Sequence, residues 1–320
     1  MNEQNFIRSR KKFWDEFEGV INGGAKEIRA YARRFPRSFR EITQDLNTAK
    51  AHGFDPALIL RLNYLALEGN QILYGGRTWS LKEAAGFIFR TFPRTVRAQW
   101  RGLGIAHLIF YGLAVFFFFL CLRFPSLVYE IMPENQVMEL ENMYNPESSY
   151  YLTPRDVSSD ADMFGFYIYN NVSIAFRTFA GGILAGAGSI LILCFNGIFL
   201  GAAAGHLAGR GFGMTFFPFI IAHSAFELTA IVLSAQAGLL LGFRLFVTQG
   251  LSRRASIRKA GKTAVPLMAG SALLLVLAAA IEAFWSSRHL MPPAIRYGAG
   301  IAAWVLVVSY FTLMGREKHR

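Results

Sequence analysis

The chain has 320 residues, of which 53% are hydrophobic and 15% aromatic, with thirty Phe and a formal net charge of +12. The apolar residues are clustered in long runs, a balance that belongs to membrane proteins and argues against an ordinary soluble fold. The two cysteines, Cys121 and Cys194, both lie inside apolar runs, which argues against a disulfide framework and against a Cys-based metal site.

Residues 3 to 21 (EQNFIRSRKKFWDEFEGVI) place Phe6, Ile7, Phe13, Trp14, Phe17 and Val20 at helical spacing, with charges on the opposite face. Further helices are predicted over 37 to 52, 56 to 73 and 80 to 99, separated by breaks at Phe35-Pro36, at His52-Gly53-Phe54-Asp55-Pro56 and at Tyr74-Gly75-Gly76. Leu58, Leu62, Leu65 and Leu67, with Tyr64, give the helix over 56 to 73 its apolar surface. Residues 1 to 103 read as an amphipathic helical bundle on the cytoplasmic face of a membrane. In its last stretch Arg90, Arg94, Arg97 and Arg101 alternate with Phe87, Phe89, Phe92 and Trp100, the mixture expected where basic groups reach lipid phosphates and aromatic rings sit at headgroup level. Nucleic acid would select a similar mixture. These residues, however, run directly into an apolar span and no nucleic-acid motif is present, so membrane lipid is the expected partner.

The first apolar run, 105 to 122, is preceded by about a hundred polar, helix-patterned residues and so is not read as a cleavable signal. Residues 104 to 124 form the first predicted membrane helix. Residues 125 to 162 follow as an acidic extracytoplasmic loop, with Tyr129, Tyr144, Tyr150 and Tyr151 offering either a partner surface or a solvated connector. Residues 163 to 315 form a helical membrane core in which 216 to 243, 264 to 285 and 297 to 314 are each long enough to cross a hydrocarbon layer of about 30 Å. A basic loop at 244 to 262, with six basic residues and no acid, and a tail at 316 to 320 (REKHR) complete the chain. The Lys and Arg distribution puts both termini and the basic loop in the cytoplasm.

That orientation sets a parity condition. A single crossing over 179 to 209 would leave one charged loop on the wrong side, so an extra reversal is expected, either at Gly181-Gly182 or as a re-entrant turn at Asn196-Gly197. Gly181, Gly182, Gly186 and Gly188, then Gly197, Gly201 and Gly205, recur at or near small-xxx-small spacing, which serves close helix packing and would also permit a homodimer.

His223 and Glu227 lie one helical turn apart inside an apolar span. A charge at mid-bilayer costs roughly 2.5 to 3.5 kcal/mol on insertion scales, so Glu227 should be paired, protonated or in contact with water. Glu282 lies in the outer part of the next span, Arg177 precedes the Gly pair, and Asn171 and Asn196 complete the intramembrane polar set. These residues fit a polar pin between helices or a proton or cation site in a transport path. A metal-dependent hydrolase fits less well, because HSAFE lacks the second His of HExxH and no other ligand spacing occurs. Phosphate-binding Gly-rich loops and Ser-His-Asp signatures are also missing, since GHLAGRGFG at 205 to 213 follows no strand. No catalytic residue, cofactor or resident metal is therefore expected from the motifs.

Taken together, FIRSRKKFWDEFEGVI, the pairs Phe39-Arg40, Asp45-Leu46 and Leu62-Asn63 with Ala49 and Tyr74, and the membrane residues Asn171, Phe176, Gly181, Gly182, Gly186, Asn196-Gly197, Leu200-Gly201, His223, Glu227-Leu228, Ile231 and Glu282 resemble the stage II sporulation protein M family. Where that family usually has Pro-His-Gly this chain has Ala222-His223-Ser224, so the family's kink is not implied at this point. The resemblance implies an all-α polytopic membrane protein. In spore formers it also implies a scaffold for peptidoglycan-degrading partners. The long cytoplasmic bundle is more similar to the members found in organisms that never sporulate. The expectation is a non-enzymatic organiser of cell-envelope proteins in the cytoplasmic membrane, with a proton- or cation-coupled transporter or channel as the alternative.

Overall fold

The computed structural model describes residues 2–74, 80–149, 157–287 and 291–316, and the elements among them are helical, with no strand. The chain divides into two compact units, Met1–Ser80 and Leu81–Arg320. The sequence reading placed this boundary at 103, but residues 81 to 103 pack with the membrane helices.

The first unit contains α1 (Glu3–Asn22), the short α2 (Ala25–Tyr31), α3 (Phe35–Ala51) and α4 (Pro56–Tyr74). Each start has a local cause. The Asn2 side chain caps α1, Pro36 stands in the first turn of α3, and the Asp55 carboxylate accepts the Ala57 N–H at 2.8 Å as α4 begins. Trp14, Phe17, Ile42, Leu62 and Leu65 are fully enclosed and form the core that holds the helices together. Asp45, nearly buried, accepts both the Trp14 indole N–H and the Arg10 Nε–H at 2.8 Å, which locks the register of α1 on α3. Burial lowers the Arg10 pKa, but hydrogen bonds and charge from Asp45 and Glu41 outweigh it and hold the guanidinium above its ordinary value.

The second unit opens with α5 (Leu81–Gly86), a π-helical turn at Phe87–Thr91 and α6 (Phe92–Ala98), where one helix was predicted. Pro93 has no N–H to donate, so the continuous helix divides around it. Among the described residues five helices are long and apolar enough to span a membrane: α7 (Trp100–Arg123), α11 (Ala187–Gly209), α12 (Gly213–Phe246), α13 (Arg253–Ile281, continued by a π-helical turn at Glu282–Ser286) and α14 (Pro293–Leu313). They make this a multi-pass membrane protein. Among these five, α12 is the most enclosed and forms the bundle's axis. A further 24-residue helix, α10 (Val157–Ala180), is more polar and packs along α12 and α13.

The chain reverses at the first of the two predicted places. After α10 a 3-10 turn at Gly181–Ile183 leads through Ala185 (φ 60°) and Gly186 (φ 85°) into α11. The re-entrant turn at Asn196-Gly197 does not occur, because α11 runs unbroken and the Asn196 amide donates to the Ile192 carbonyl of its own preceding turn at 2.7 Å. Gly197, Gly201 and Gly205 instead face α7, where added Cβ atoms would meet the carbonyls of Phe110, Ala114 and Phe118 in turn. Three glycines of α11, four residues apart, thus lie directly against the α7 backbone.

The acidic segment after α7 is folded where it is described. A 3-10 turn at Pro125–Leu127, then α8 (Val128–Ile131) and α9 (Glu134–Tyr144), bury Val128, Met132, Val137 and Tyr144. Glu141 of α9 accepts from His206 Nε2 at 2.7 Å and Arg210 Nε at 3.1 Å at the end of α11. Of the tyrosines named above, Tyr150 and Tyr151 lie outside the described residues, as do Gly75-Gly76 and most of the tail. The basic loop is short: α12 ends at Phe246 and Ser252 caps α13, so Arg253, Arg254, Arg258 and Lys259 stand on the first turns of a helix.

The interfacial arginines are partly committed within the protein. Arg94 Nε donates to the Gly315 carbonyl at 2.6 Å and an Arg97 nitrogen to the Phe311 carbonyl at 2.7 Å, satisfying acceptors that the end of α14 leaves open. The Tyr310 hydroxyl donates in return to the Ile88 carbonyl.

Candidate functional site

Helix α12 carries His223 and Glu227 on one face, and the antiparallel α13 returns with Glu282 against them. A ring nitrogen of His223 and one oxygen from each carboxylate all lie within 4.8 Å of one another. Glu227 falls near the middle of the 34-residue α12, about 20 Å from its first residue at 1.5 Å per residue, well inside the apolar part of the bundle.

The local sequence of α13 explains how a second carboxylate fits there. Ala278, Ala279 and Ala283 are fully buried around Glu282, so the helices approach closely. The π-helical turn begins at Glu282 and ends at Ser286, and such turns are frequent at functional sites. It presents both residues to α12, where the Ser286 hydroxyl lies 3.2 Å from His223 Nδ1. The Phe219 ring packs edge-on against the imidazole at 5.4 Å. The ring is therefore held by one hydrogen bond and one aromatic wall.

The three residues line a cavity of about 630 Å³ between α7, α10, α11 and α12. Its other polar lining is amide and hydroxyl (Asn170, Asn171, Asn196 and Ser224), and most of the remainder is aromatic or aliphatic. A mostly apolar hollow with a few convergent polar groups is the usual form of a small-ligand site. One end is closed by α9, whose Leu140 and Tyr144 belong to the lining. Tyr144 packs on Phe216 and Phe219, and its carbonyl accepts from Thr215. One side reaches the surface at Val115, Phe119 and Asn170, which are exposed.

Of the polar residues singled out in the sequence, His223, Glu227, Glu282, Asn171 and Asn196 meet in this cavity. Arg177 is exposed and lies outside its lining. Gly181, Gly182 and Gly186 form the reversal, while Gly197 and Gly201 pack on α7. Sequence spacing missed Ser286, Asn170 and the α9 cap. Ser286 had a signal, since it stands four residues after Glu282. The lack of a metal-ligand spacing also held only along the chain, because Glu282 supplies a third donor from 55 positions beyond Glu227.

The family model described as Stage II sporulation protein M matches residues 107–287, more than half of the chain. A second model, Domain of unknown function (DUF8413), matches residues 4–75. No curated protein and no solved structure matches. The chain therefore belongs to the stage II sporulation protein M family, which is not a known enzyme family, and its membrane core is the part that carries the family match.

Proposed function

We propose that this member of the stage II sporulation protein M family is a proton- or cation-coupled transporter or channel whose working site is the cavity at His223, Glu227 and Glu282. The carrying observation is the convergence of an imidazole and two carboxylates, from two antiparallel membrane helices, on a hollow deep within the bundle. Ionisable groups at that depth mark ion and proton pathways. We read α8 and α9 as lying outside the cytoplasmic membrane and the basic start of α13 as lying in the cytoplasm, the orientation that the charge distribution favours.

The test is flux in proteoliposomes under imposed proton and cation gradients. Wild type should carry flux, Glu227→Gln should lower it at least tenfold while remaining monodisperse, and Arg177→Gln, outside the cavity, should match wild type. Absence of flux in wild type, or full flux in Glu227→Gln, would remove this reading.

The organiser reading has one observation in its favour. On α4, Leu60, Tyr64, Leu67 and Tyr74 are exposed at 70%, 43%, 54% and 71%, spaced four, three and seven residues apart, so they form one apolar stripe on the first unit. A partner helix recognises such a stripe. Replacing Leu60 and Leu67 by Glu should release a stoichiometric envelope partner from affinity-purified protein while leaving the fold intact. An unchanged complex would sink this reading.

A further inference from the structure

From the donor set in the cavity we infer that His223, Glu227 and Glu282 bind a divalent first-row transition-metal ion, in the range from Mn²⁺ to Zn²⁺. The inference rests on reading the cavity as a ligand site and names the class of its ligand.

The chemistry selects the ion. Two carboxylates, when ionised, bring negative charge to the interior of the bundle, and a divalent cation neutralises it. An alkali-metal ion would gain little from imidazole nitrogen. A first-row transition ion accepts nitrogen and carboxylate oxygen together, whereas Mg²⁺ and Ca²⁺ favour oxygen alone.

The geometry is close to that of a metal site. Ligand atoms around a four-coordinate ion with bonds of about 2.1 Å are separated by roughly 3.4 Å. The three donors here lie within 4.8 Å of one another, at most about 1.4 Å beyond that spacing. The Ser286 hydroxyl at Nδ1 performs the task that outer partners perform at known sites, fixing the imidazole so that the other nitrogen meets the metal. Asn171 and Asn196 line the same hollow and can hold water on the ion. Three protein ligands leave positions open, as an ion that must enter and leave requires, whereas a structural site is closed by four.

The experiment uses the full chain, purified in detergent, stripped with chelator and titrated calorimetrically with Zn²⁺, Mn²⁺, Mg²⁺ and Ca²⁺ in turn. One equivalent of Zn²⁺ or Mn²⁺ should bind, at least a hundredfold tighter than Mg²⁺ or Ca²⁺. Glu227→Gln and Glu282→Gln should each weaken that binding at least tenfold, with Arg177→Gln unchanged. No binding at one equivalent, or carboxylate variants that bind like wild type, would overturn the proposal. Should a variant lose its monodisperse state, X-ray absorption of zinc-loaded wild type decides. An imidazole nitrogen with carboxylate oxygens supports the site, and a sulfur-containing or wholly aquo shell rejects it. Metal binding without flux in the proteoliposome assay removes the transport reading and keeps the metal site. Proton flux without metal binding does the reverse.

Discussion

Replacing Gly197 by Ala tests whether α7 and α11 are held together by direct backbone contact. The added Cβ would lie 2.6 Å from the Phe110 carbonyl oxygen, where ordinary contact begins at 3.4 Å, so the helices must part by about 3.4 − 2.6 = 0.8 Å at that point. The contact atom is backbone, with no side chain to rotate away. Overpacking of this kind costs about 1–3 kcal/mol, and parting the helices also weakens the Cα–H···O contacts along the seam, worth about 0.5–1 kcal/mol each. Alanine's better helix propensity returns about 0.5–1 kcal/mol. The net loss is about 2 kcal/mol, or roughly 4–8 °C in Tm at the usual scaling for a unit of this size. Gly112 in α7 is the control, since nothing lies within 4 Å of its Cβ position. Gly112→Ala should therefore raise Tm by about 1–3 °C through propensity alone. The assay is thermal unfolding in detergent, followed by helical circular dichroism and by loss of the monodisperse peak. Equal Tm values for the two variants would refute the close-packed seam.

Other expected outcomes follow from single contacts. Asp45→Ala leaves the Trp14 indole and the Arg10 guanidinium without their shared acceptor and should destabilise the first unit by about 2–4 kcal/mol, read by Trp fluorescence during urea unfolding. Glu141→Gln weakens the hold of α9 on His206 and Arg210; hydrogen exchange over 134 to 144 should accelerate while α12 stays protected. Arg97→Ala removes the donor to the Phe311 carbonyl and should cost about 1–2 kcal/mol, with faster exchange confined to the last turn of α14 and the segment after it.

The sequence was most informative where one physical rule governs a long stretch. Hydropathy located α7, α12, α13 and α14 because burying twenty apolar residues has few solutions, and the α1 stripe was visible because 3.6-residue periodicity alone positions Trp14 and Phe17. It was least informative where two rules compete. Asn196-Gly197 has the composition of a turn, yet its Gly lies against a carbonyl and its Asn bonds to its own helix, so close packing overrides turn propensity. The acidic segment read as a loop, either a partner surface or a solvated connector, because Val128, Met132, Val137 and Tyr144 are too widely scattered for a clear periodicity. For the site, i, i+4 spacing was enough to pair His223 with Glu227. Bringing in Glu282 required the crossing of α12 and α13, and the α9 cap required knowing that the outer segment folds back over the bundle. Arg90, Arg94, Arg97 and Arg101 looked alike in sequence; only the position of the end of α14 distinguishes the two that cap it.

The tie between Arg94, Arg97 and the end of α14 also constrains how the protein is made. Both arginines emerge from the ribosome before α7, whereas the carbonyls that receive them lie at the end of α14 and just beyond it. Until α14 is made, the leading segment has no such acceptors. The loop closes only after α14 is released and inserted. A chain that stalls or is cut before residue 311 lacks this closure.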